Sequence, residues 1–448
     1  MRGKNSQFFF IALILPYIIL QIPAVWYSVH THFALIDDYD ASWLTLKVFS
    51  SFAGIKIWIL DQILPYRIGR FRPVFDIYNL LTWGAFGTHY ALHHIARLCL
   101  KLAIIIYSAK TFSLFRQKGD RLNIPLFVFL SIFMFYPNNP EARLAPQELE
   151  MVFFLSVTLY FIAKLMTKKE EFSKWDSRWL VCSYAAFLLS KETSVFLAIP
   201  ILIFLAVIKV NRKMLILLLC ISGAALIEIG LAATTASETA RITLNLITHN
   251  LTWSLHRLFL SNVLAILLLI LLAIPLALKL SGQNGAPVHS KALTFYLFIW
   301  SAFLAYFLCS LTLYLPVLRY LYPLVYLLAL LIGLGFTLIE PLPFSSTRLF
   351  RIAAISLCFY FVFSVYYDFI AQYGVQYATR KNESVVLDDI RQLMSQNKKV
   401  VFIRGDISDE YSSSMMGYFN NYLPFFTKNG WTHKLTIKSI ADSNVYFV

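Results

Sequence analysis

Long apolar runs separated by short polar segments are the dominant pattern of this chain. An α-helix needs roughly 20 apolar residues to cross a hydrocarbon core of about 30 Å, and the runs are close to that length. The pattern therefore predicts a polytopic α-helical membrane protein with about 11 transmembrane helices. The predicted spans are about 8–28, 91–109, 122–136, 149–166, 178–190, 194–208, 213–233, 257–278, 292–314, 317–339 and 350–370.

The run from 178 to 208 has two interpretations, one long helix or two helices joined by a turn. At 1.5 Å per residue a single helix would be roughly 46 Å long, which exceeds a typical core of about 30 Å. Basic residues flank both ends of the run, so both ends favour the same side of the membrane. We therefore predict two helices, with the turn Ser190 to Thr193 on the opposite side.

With this count of spans, the loops that contain most of the basic residues all lie on the same side of the membrane. These basic residues are Arg2 and Lys4; Lys110, Arg116, Lys118 and Arg121; Lys164, Lys168, Lys169 and Lys174; Lys209 to Lys213; Lys279 and Lys291; and Arg348 and Arg351. The positive-inside rule makes that side cytoplasmic. Because the number of spans is odd, the C-terminal segment is predicted to lie outside.

The outer segments divide the chain into two predicted domains, a transmembrane domain at 1–370 and a small outer-face α/β domain at 371–448. The tail alternates helix-like and strand-like segments, which indicates the α/β class. Within the first domain, the outer loop 29–90 contains an amphipathic stretch, Trp43 to Leu64, suited to the membrane surface. A later outer loop, 234–256, is rich in Thr and Ser.

Composition agrees with a membrane protein and excludes several other classes. Hydrophobic residues form 58% of the chain, charged residues 14%, and the mean hydropathy is +0.65. The net charge is +15, but the basic residues lie in short loops, so they indicate topology and no nucleic-acid partner. The five cysteines fall inside apolar runs, which excludes them from an outer disulfide or Cys-based metal site. The sequence contains no Walker-type or GxGxxG phosphate-binding loop, so neither ATP nor a dinucleotide is implied.

An acidic cluster, Asp37-Asp38-Tyr39-Asp40, follows the first span. Carboxylates this close repel each other when all are ionised. One interpretation is therefore a raised pKa or a bound cation, and the other is a solvated loop. Further acids and cations share the predicted outer face: Glu141, Glu192, Arg70, Arg72, Arg143, Lys191 and Arg319. Removal of a sugar from a lipid phosphate needs a carboxylate to deprotonate the acceptor and cations to stabilise the departing phosphate.

These pieces, in this order, resemble the GT-C superfamily of membrane glycosyltransferases, which use polyprenyl-phosphate sugar donors. The similarity is clearest with the protein O-mannosyltransferase-like and aminoarabinose transferase-like branches, and it runs from residue 1 to about 340. The matching elements are Asp37-Asp38, Gly69 to Pro73 with His89 and His93, Pro137 and Glu141, Lys191-Glu192, and Arg319-Tyr320.

The resemblance implies a GT-C fold and an inverting transfer to a hydroxyl of a cell-surface glycan, a lipopolysaccharide or a protein. It implies a bacterial inner-membrane location with the site facing the periplasm. The implied roles are catalysis by Asp37, Asp38 and Glu141; binding of the donor phosphate by Arg319, Lys191, Arg70, Arg72 and His89; and further site contacts by Glu192, Tyr320 and Arg143. Which of the two aspartates is the base stays open.

Two other functions compete with this interpretation. An O-antigen polymerase or ligase would usually concentrate Arg and His in one large late loop, whereas the charges here gather in the first loop. A transporter or flippase for lipid-linked sugars would show inverted repeats and ionisable residues at mid-membrane. No repeat is visible in this sequence, and its polar groups cluster at one predicted face. As for metals, Asp37 and Asp38 could hold Mg²⁺ or Mn²⁺, while His89 and His93 share a helical face without a third ligand for zinc.

Overall fold

The computed structural model describes residues 15–31, 72–87, 89–115, 124–136, 147–235, 244–258, 287–311, 321–339 and 348–395. All regular elements within these ranges are helices. The predicted tail strands, the stretch Trp43 to Leu64 and most of the span 257–278 lie outside the described residues. The count of about 11 spans therefore stays a prediction.

The main helices, numbered in chain order, are α1 (Ile22–His30), α2 (Pro73–Phe86), α3 (Tyr90–Phe115), α4 (Ile124–Phe135), α5 (Glu148–Thr167), α6 (Lys174–Leu188), α7 (Val195–Val207), α8 (Arg212–Thr235), α9 (Leu244–Leu258), α10 (Pro287–Ser310), α11 (Tyr322–Ile339) and α12 (Arg348–Ser395). Short 3-10 turns, Lys169–Glu171 and Glu192–Ser194, precede α6 and α7.

Six of the described helices are long and apolar enough to cross a membrane: α3, α5, α8, α10, α11 and α12. The shorter apolar helices, α4 and the segment Glu192–Val207, add to this set. A lipid core offers no water to backbone groups, and a helix satisfies those groups internally. The chain is therefore a multi-pass helical membrane protein.

Helix α11 occupies the centre of the bundle and is almost entirely buried. It packs against α4, α10, α5 and α3, while α12 covers α4 from the other side. Aromatic rings form the contact with α4, where Phe133 lies 5.4 Å from Tyr322 and Phe129 lies 6.1 Å from Tyr326, measured between ring centroids. The α4–α11 contact is thus the core around which the other helices are arranged.

The structure confirms the predicted break near residue 190, because α6 and α7 are separate helices. The outer segment predicted at 234–256 contains most of α9, whose Asn250 side chain donates a hydrogen bond to the Leu311 carbonyl at 2.9 Å. The position of this segment on the outer side stays a prediction.

Helix α12 also extends beyond the span predicted at 350–370, since it continues without a break to Ser395. No proline interrupts 371–395, and polar residues alone do not end a helix. The predicted domain boundary at 370/371 therefore falls inside a continuous helix. The boundary itself stays a prediction.

The bundle has two chemically different ends. At the Lys164 end, where α5 stops and α6 starts, Lys164 forms a salt bridge of 2.8 Å with Asp176, and Lys291 Nζ donates to the Thr167 carbonyl at 3.3 Å. At the Lys191 end, where α5 starts and α6 stops, Lys191 pairs with Glu148. The 20 residues of α5 separate the ends by about 30 Å.

The contact of α11 with α3 and α4 generates a stability prediction at Gly333. A Cβ added there would lie 2.6 Å from the Phe112 ring and 2.9 Å from the Pro125 carbonyl oxygen. Since the carbonyl belongs to a helix backbone, we expect Gly333→Ala to destabilise the protein by about 1–3 kcal/mol. Thermal unfolding of the purified protein in detergent measures this effect. The matched control is Gly223→Ala, because nothing lies within 4 Å of the added Cβ there; equal losses of stability in both variants would contradict the prediction.

Candidate functional site

Two carboxylates in the first turn of α5, Glu148 and Glu150, form the centre of the Lys191 end. Lys191 Nζ donates to Glu148 Oε1, and Arg97 Nη1 donates to Glu150 Oε1 at 2.7 Å. All four side chains are at most 2% exposed. Buried charges are tolerated only when they are paired and hydrogen-bonded. The two salt bridges therefore fix α3 and the α6–α7 turn against α5.

A third salt bridge joins α2 to the same turn. Arg72 Nε lies 2.9 Å from both carboxylate oxygens of Glu192, and both side chains are partly exposed. Backbone contact reinforces this pair, since the Val74 amide donates to the Leu189 carbonyl at 3.2 Å. Pro73 at the first helical position starts α2 directly after Arg72. The turn is therefore held by α2 on one side and α5 on the other.

Hydroxyl groups hold the α6–α7 turn in its shape. Ser190 Oγ donates to the Ala186 carbonyl at 2.6 Å, and Ser194 Oγ donates to the Lys191 carbonyl at 2.6 Å. Thr193 Oγ1 and the Tyr306 hydroxyl of α10 form a hydrogen bond of 3.2 Å. The Ser190 bond satisfies a carbonyl that the end of α6 leaves open, and the other two bonds fix the turn itself and its contact with α10. As a result, Lys191 and Glu192 point their charges to different helices from a fixed base.

The electrostatics of this end shift two pKa values towards neutrality. Desolvation raises the pKa of Asp76, in the first turn of α2, to about 7; the Arg72 guanidinium opposes that rise and the Glu192 carboxylate adds to it. Burial lowers the pKa of Lys191 to about 8, while Glu148 opposes the shift. Lys191 is therefore still largely protonated at neutral pH, and Asp76 can exchange a proton there.

The histidines at this end have different surroundings. His89 is exposed just before α3. His93 is buried, with Nε2 2.9 Å from the Gly87 carbonyl oxygen and its ring centroid 4.4 Å from that of Trp83. These contacts fix the α2–α3 connection. Within the described ranges, no three His, Cys, Asp or Glu side chains are grouped as they would be around a metal ion.

The structure brings together three of the predicted site residues, Arg72, Lys191 and Glu192, and places His89 at the same end of the bundle. Although Lys191 and Glu192 are neighbours in sequence, Lys191 forms its salt bridge with Glu148 of α5 and Glu192 forms its salt bridge with Arg72. The other predicted site residues lie outside the described residues: Asp37, Asp38, Arg70, Glu141, Arg143, Arg319 and Tyr320.

Three described helices, α1, α4 and α11, adjoin some of those residues in sequence. In each, the terminus next to those residues lies on the side of the Lys191 end. Helix α1, which precedes Asp37, ends there, because Tyr27 contacts His94 near the start of α3. Helix α4 ends and α11 begins at the same level, as the Phe133–Tyr322 ring contact shows. The chain therefore leaves α1 and α4, and enters α11, on the side of the Lys191 end.

Sequence reasoning missed Asp76, Arg97, Glu148 and Glu150. One signal was available, because ionisable residues inside an apolar span are rare and are usually paired or functional. Arg97 lies inside the predicted span 91–109 and meets that criterion. The two glutamates were less visible, since they lie at the boundary of a span, where charges are common.

The buried Lys191–Glu148 pair generates the second prediction. Lys191→Met leaves the Glu148 carboxylate without its salt bridge in a buried site, and we expect a loss of about 3–5 kcal/mol in unfolding free energy. The double variant Lys191→Met/Glu148→Met should recover most of that loss. Denaturant unfolding in detergent measures both. As a control, Lys168→Met breaks the exposed pair with Glu171 and should cost less than about 1 kcal/mol. A double variant no more stable than the single one would contradict the assignment.

Asp76 generates a prediction about pH. Its folded-state pKa of about 7 lies above the ordinary 3.8, so this group lowers stability as the pH rises from about 4 to 7 and adds no further loss above that. Asp76→Asn removes this loss. We therefore expect the melting temperature of the variant, relative to the original protein, to be higher at pH 8 than at pH 5. A difference that does not change with pH would contradict the raised pKa.

Comparison with known proteins identifies the fold. No protein-family model and no curated protein matches the sequence. Solved structures do match, among them two of ArnT from Cupriavidus metallidurans. The structure bound to undecaprenyl phosphate matches over 96% of this chain and 86% of its own, with a TM-score of 0.52 and 11% identity. The apo structure matches over 95% and 85%, with a TM-score of 0.55 and 11% identity. The chain therefore shares the fold of these ArnT structures, in agreement with the GT-C fold that the sequence resemblance implied.

Proposed function

We propose that this membrane protein is an inverting glycosyltransferase that moves a sugar from a polyprenyl-phosphate donor to a hydroxyl acceptor. The observation that carries the proposal is the fold shared along 96% of the chain with an ArnT structure that holds undecaprenyl phosphate. In the proposal the reaction takes place at the Lys191 end, on the periplasmic side of a bacterial inner membrane. The acceptor is a cell-surface glycan, lipopolysaccharide or O-antigen, or a protein.

The charges of the Lys191 end support this location. Cations and carboxylates lie where apolar helices end, which is the level at which a lipid phosphate rides in a bilayer. The described salt bridges of the opposite end, Lys164–Asp176 and Lys168–Glu171, are in contrast both at least partly exposed, and neither is fully buried as the Lys191–Glu148 pair is. A preorganised set of charges at the membrane boundary is the arrangement that stabilises charge developing on a departing phosphate.

The proposed step is a single displacement. Asp37 or Asp38 takes the proton of the acceptor hydroxyl, the acceptor oxygen attacks the anomeric carbon, and the bond from that carbon to the phosphate oxygen breaks. The configuration at the anomeric carbon is inverted, the proton stays on the carboxylate, and the polyprenyl phosphate leaves as an anion. Glu141 assists at the reacting centre.

Cations around the donor phosphate complete the proposed site. Arg319, Arg70 and His89 are assigned to direct contact with the phosphate. Arg72 and Lys191 already donate to Glu192 and Glu148, so in the proposal they act on the phosphate from fixed positions, and those carboxylates hold them there. Such fixed charges need no reorganisation during the reaction. Glu192, Tyr320 and Arg143 line the remainder of the site.

The acidic pair is tested by Asp37→Asn and Asp38→Asn in the purified full-length protein. The assay measures undecaprenyl phosphate released from undecaprenyl-phosphate sugars by mass spectrometry, with a membrane glycan extract as acceptor, in the presence and absence of Mg²⁺. Loss of the general base should lower kcat at least about 100-fold in the variant that removes it. The matched control is Asp40→Asn. It changes the same acidic cluster but neither of the two candidate general bases, and it should retain activity.

Two outcomes would contradict the proposal at different points. Full activity in both variants would remove the assignment of the base while leaving the donor class intact. Failure of the original protein to bind or turn over any polyprenyl-phosphate sugar would remove the donor class itself.

A further inference from the structure

A cavity of about 730 Å³ lies at the Lys164 end, away from the candidate site. It opens between the last turn of α5, the first half of α6 and the start of α8. Leu165, Val181 and Leu217 contribute apolar walls, and Arg178 and Lys213 contribute cations. None of these residues has a part in the proposed transfer reaction. The cavity is therefore an amphipathic site that the proposed function does not explain.

Positive charge is concentrated around this cavity. Arg178 and Lys213 line it, and Lys174, Lys209 and Arg212 lie close to them in sequence on exposed positions. The neighbouring acid, Asp176, is already engaged, because it accepts hydrogen bonds from Lys164 and from Ser173. The cations of the rim therefore offer net positive charge to a ligand.

The exposed side of α6 indicates that the cavity lies at the level of a membrane interface. Trp175 and Trp179 are 67% and 59% exposed, and they alternate with Lys174 and Arg178 on one side of the helix. Exposed tryptophans beside basic residues are typical of the belt where lipid headgroups meet the hydrocarbon core. The Arg178 guanidinium lies 4.6 Å from the Trp175 ring centroid, which holds it near the rim.

We propose that this cavity binds one anionic phospholipid. The phosphate of the headgroup pairs with Arg178 and Lys213, and the upper part of the acyl chains lies against Leu165, Val181 and Leu217. Basic pockets between membrane helices are suited to such headgroups. A soluble anion would use the cations but would leave the apolar walls uncovered. The combination of charge and apolar surface at one membrane level favours a lipid.

The test measures lipid binding to the purified full-length protein by native mass spectrometry. Dioleoyl phosphatidylglycerol and dioleoyl phosphatidylcholine are compared, since they share acyl chains and differ in net charge. We expect the variant Arg178→Gln/Lys213→Gln to lose about tenfold or more in affinity for phosphatidylglycerol, because each basic residue near an anionic lipid contributes to binding. Its affinity for phosphatidylcholine should be unchanged.

The matched control is Lys174→Gln/Arg212→Gln, which removes the same charge from the same end outside the cavity lining. An equal loss of affinity in the control, equal binding of both lipids by the original protein, or displacement of the lipid by excess inorganic phosphate would overturn the proposal. Where the first variant does not fold, Leu217→Trp fills the cavity from its exposed rim and should also weaken phosphatidylglycerol binding. Undiminished binding by Leu217→Trp would overturn the proposal as well.

Discussion

The two buried salt bridges in the first turn of α5 are the constraint on which the Lys191 end depends. Glu148 and Glu150 are desolvated at the boundary of an apolar helix, where an unpaired charge would cost several kcal/mol. Their partners come from distant parts of the chain, Arg97 from α3 and Lys191 from the α6–α7 turn. Because each carboxylate needs its cation, these elements can meet α5 in only one arrangement. The exposed neighbours Arg72 and Glu192 then attach α2 to the same framework.

The bundle separates its charges into two layers with different physical properties. At the Lys191 end the charges are paired and mostly buried, so they are little screened and hold fixed positions. At the Lys164 end they are more exposed, basic residues predominate, and tryptophans lie beside them. A preorganised layer is suited to chemistry on a phosphate, whereas an exposed basic layer is suited to contact with lipid headgroups. The length of α5, 20 residues or about 30 Å, separates the two layers.

Prediction from the sequence worked best where length and charge limited the possibilities. A helix from 178 to 208 would be too long for the membrane and would have basic residues at both ends, and the break at residues 189–194 follows from those two facts. Prediction from hydropathy was weaker where helices contain many polar residues. Hydropathy did not indicate α9 or the continuation of α12 from 371 to Ser395 as parts of regular helices, although neither segment contains a proline that would end one.

The sequence by itself determined the class of the molecule and the family resemblance, and it predicted the sidedness of the loops, because hydropathy and basic loops are read along the chain. It also singled out Arg72, Lys191 and Glu192 as residues of one face. Only the tertiary structure decided the partner of each charge, and it added Asp76, Arg97, Glu148 and Glu150 to the site. The physical reason is that a salt bridge depends on distance and burial. Residues 43 to 120 positions apart, such as Lys191 with Glu148 and Arg72 with Glu192, become neighbours only when the helices pack.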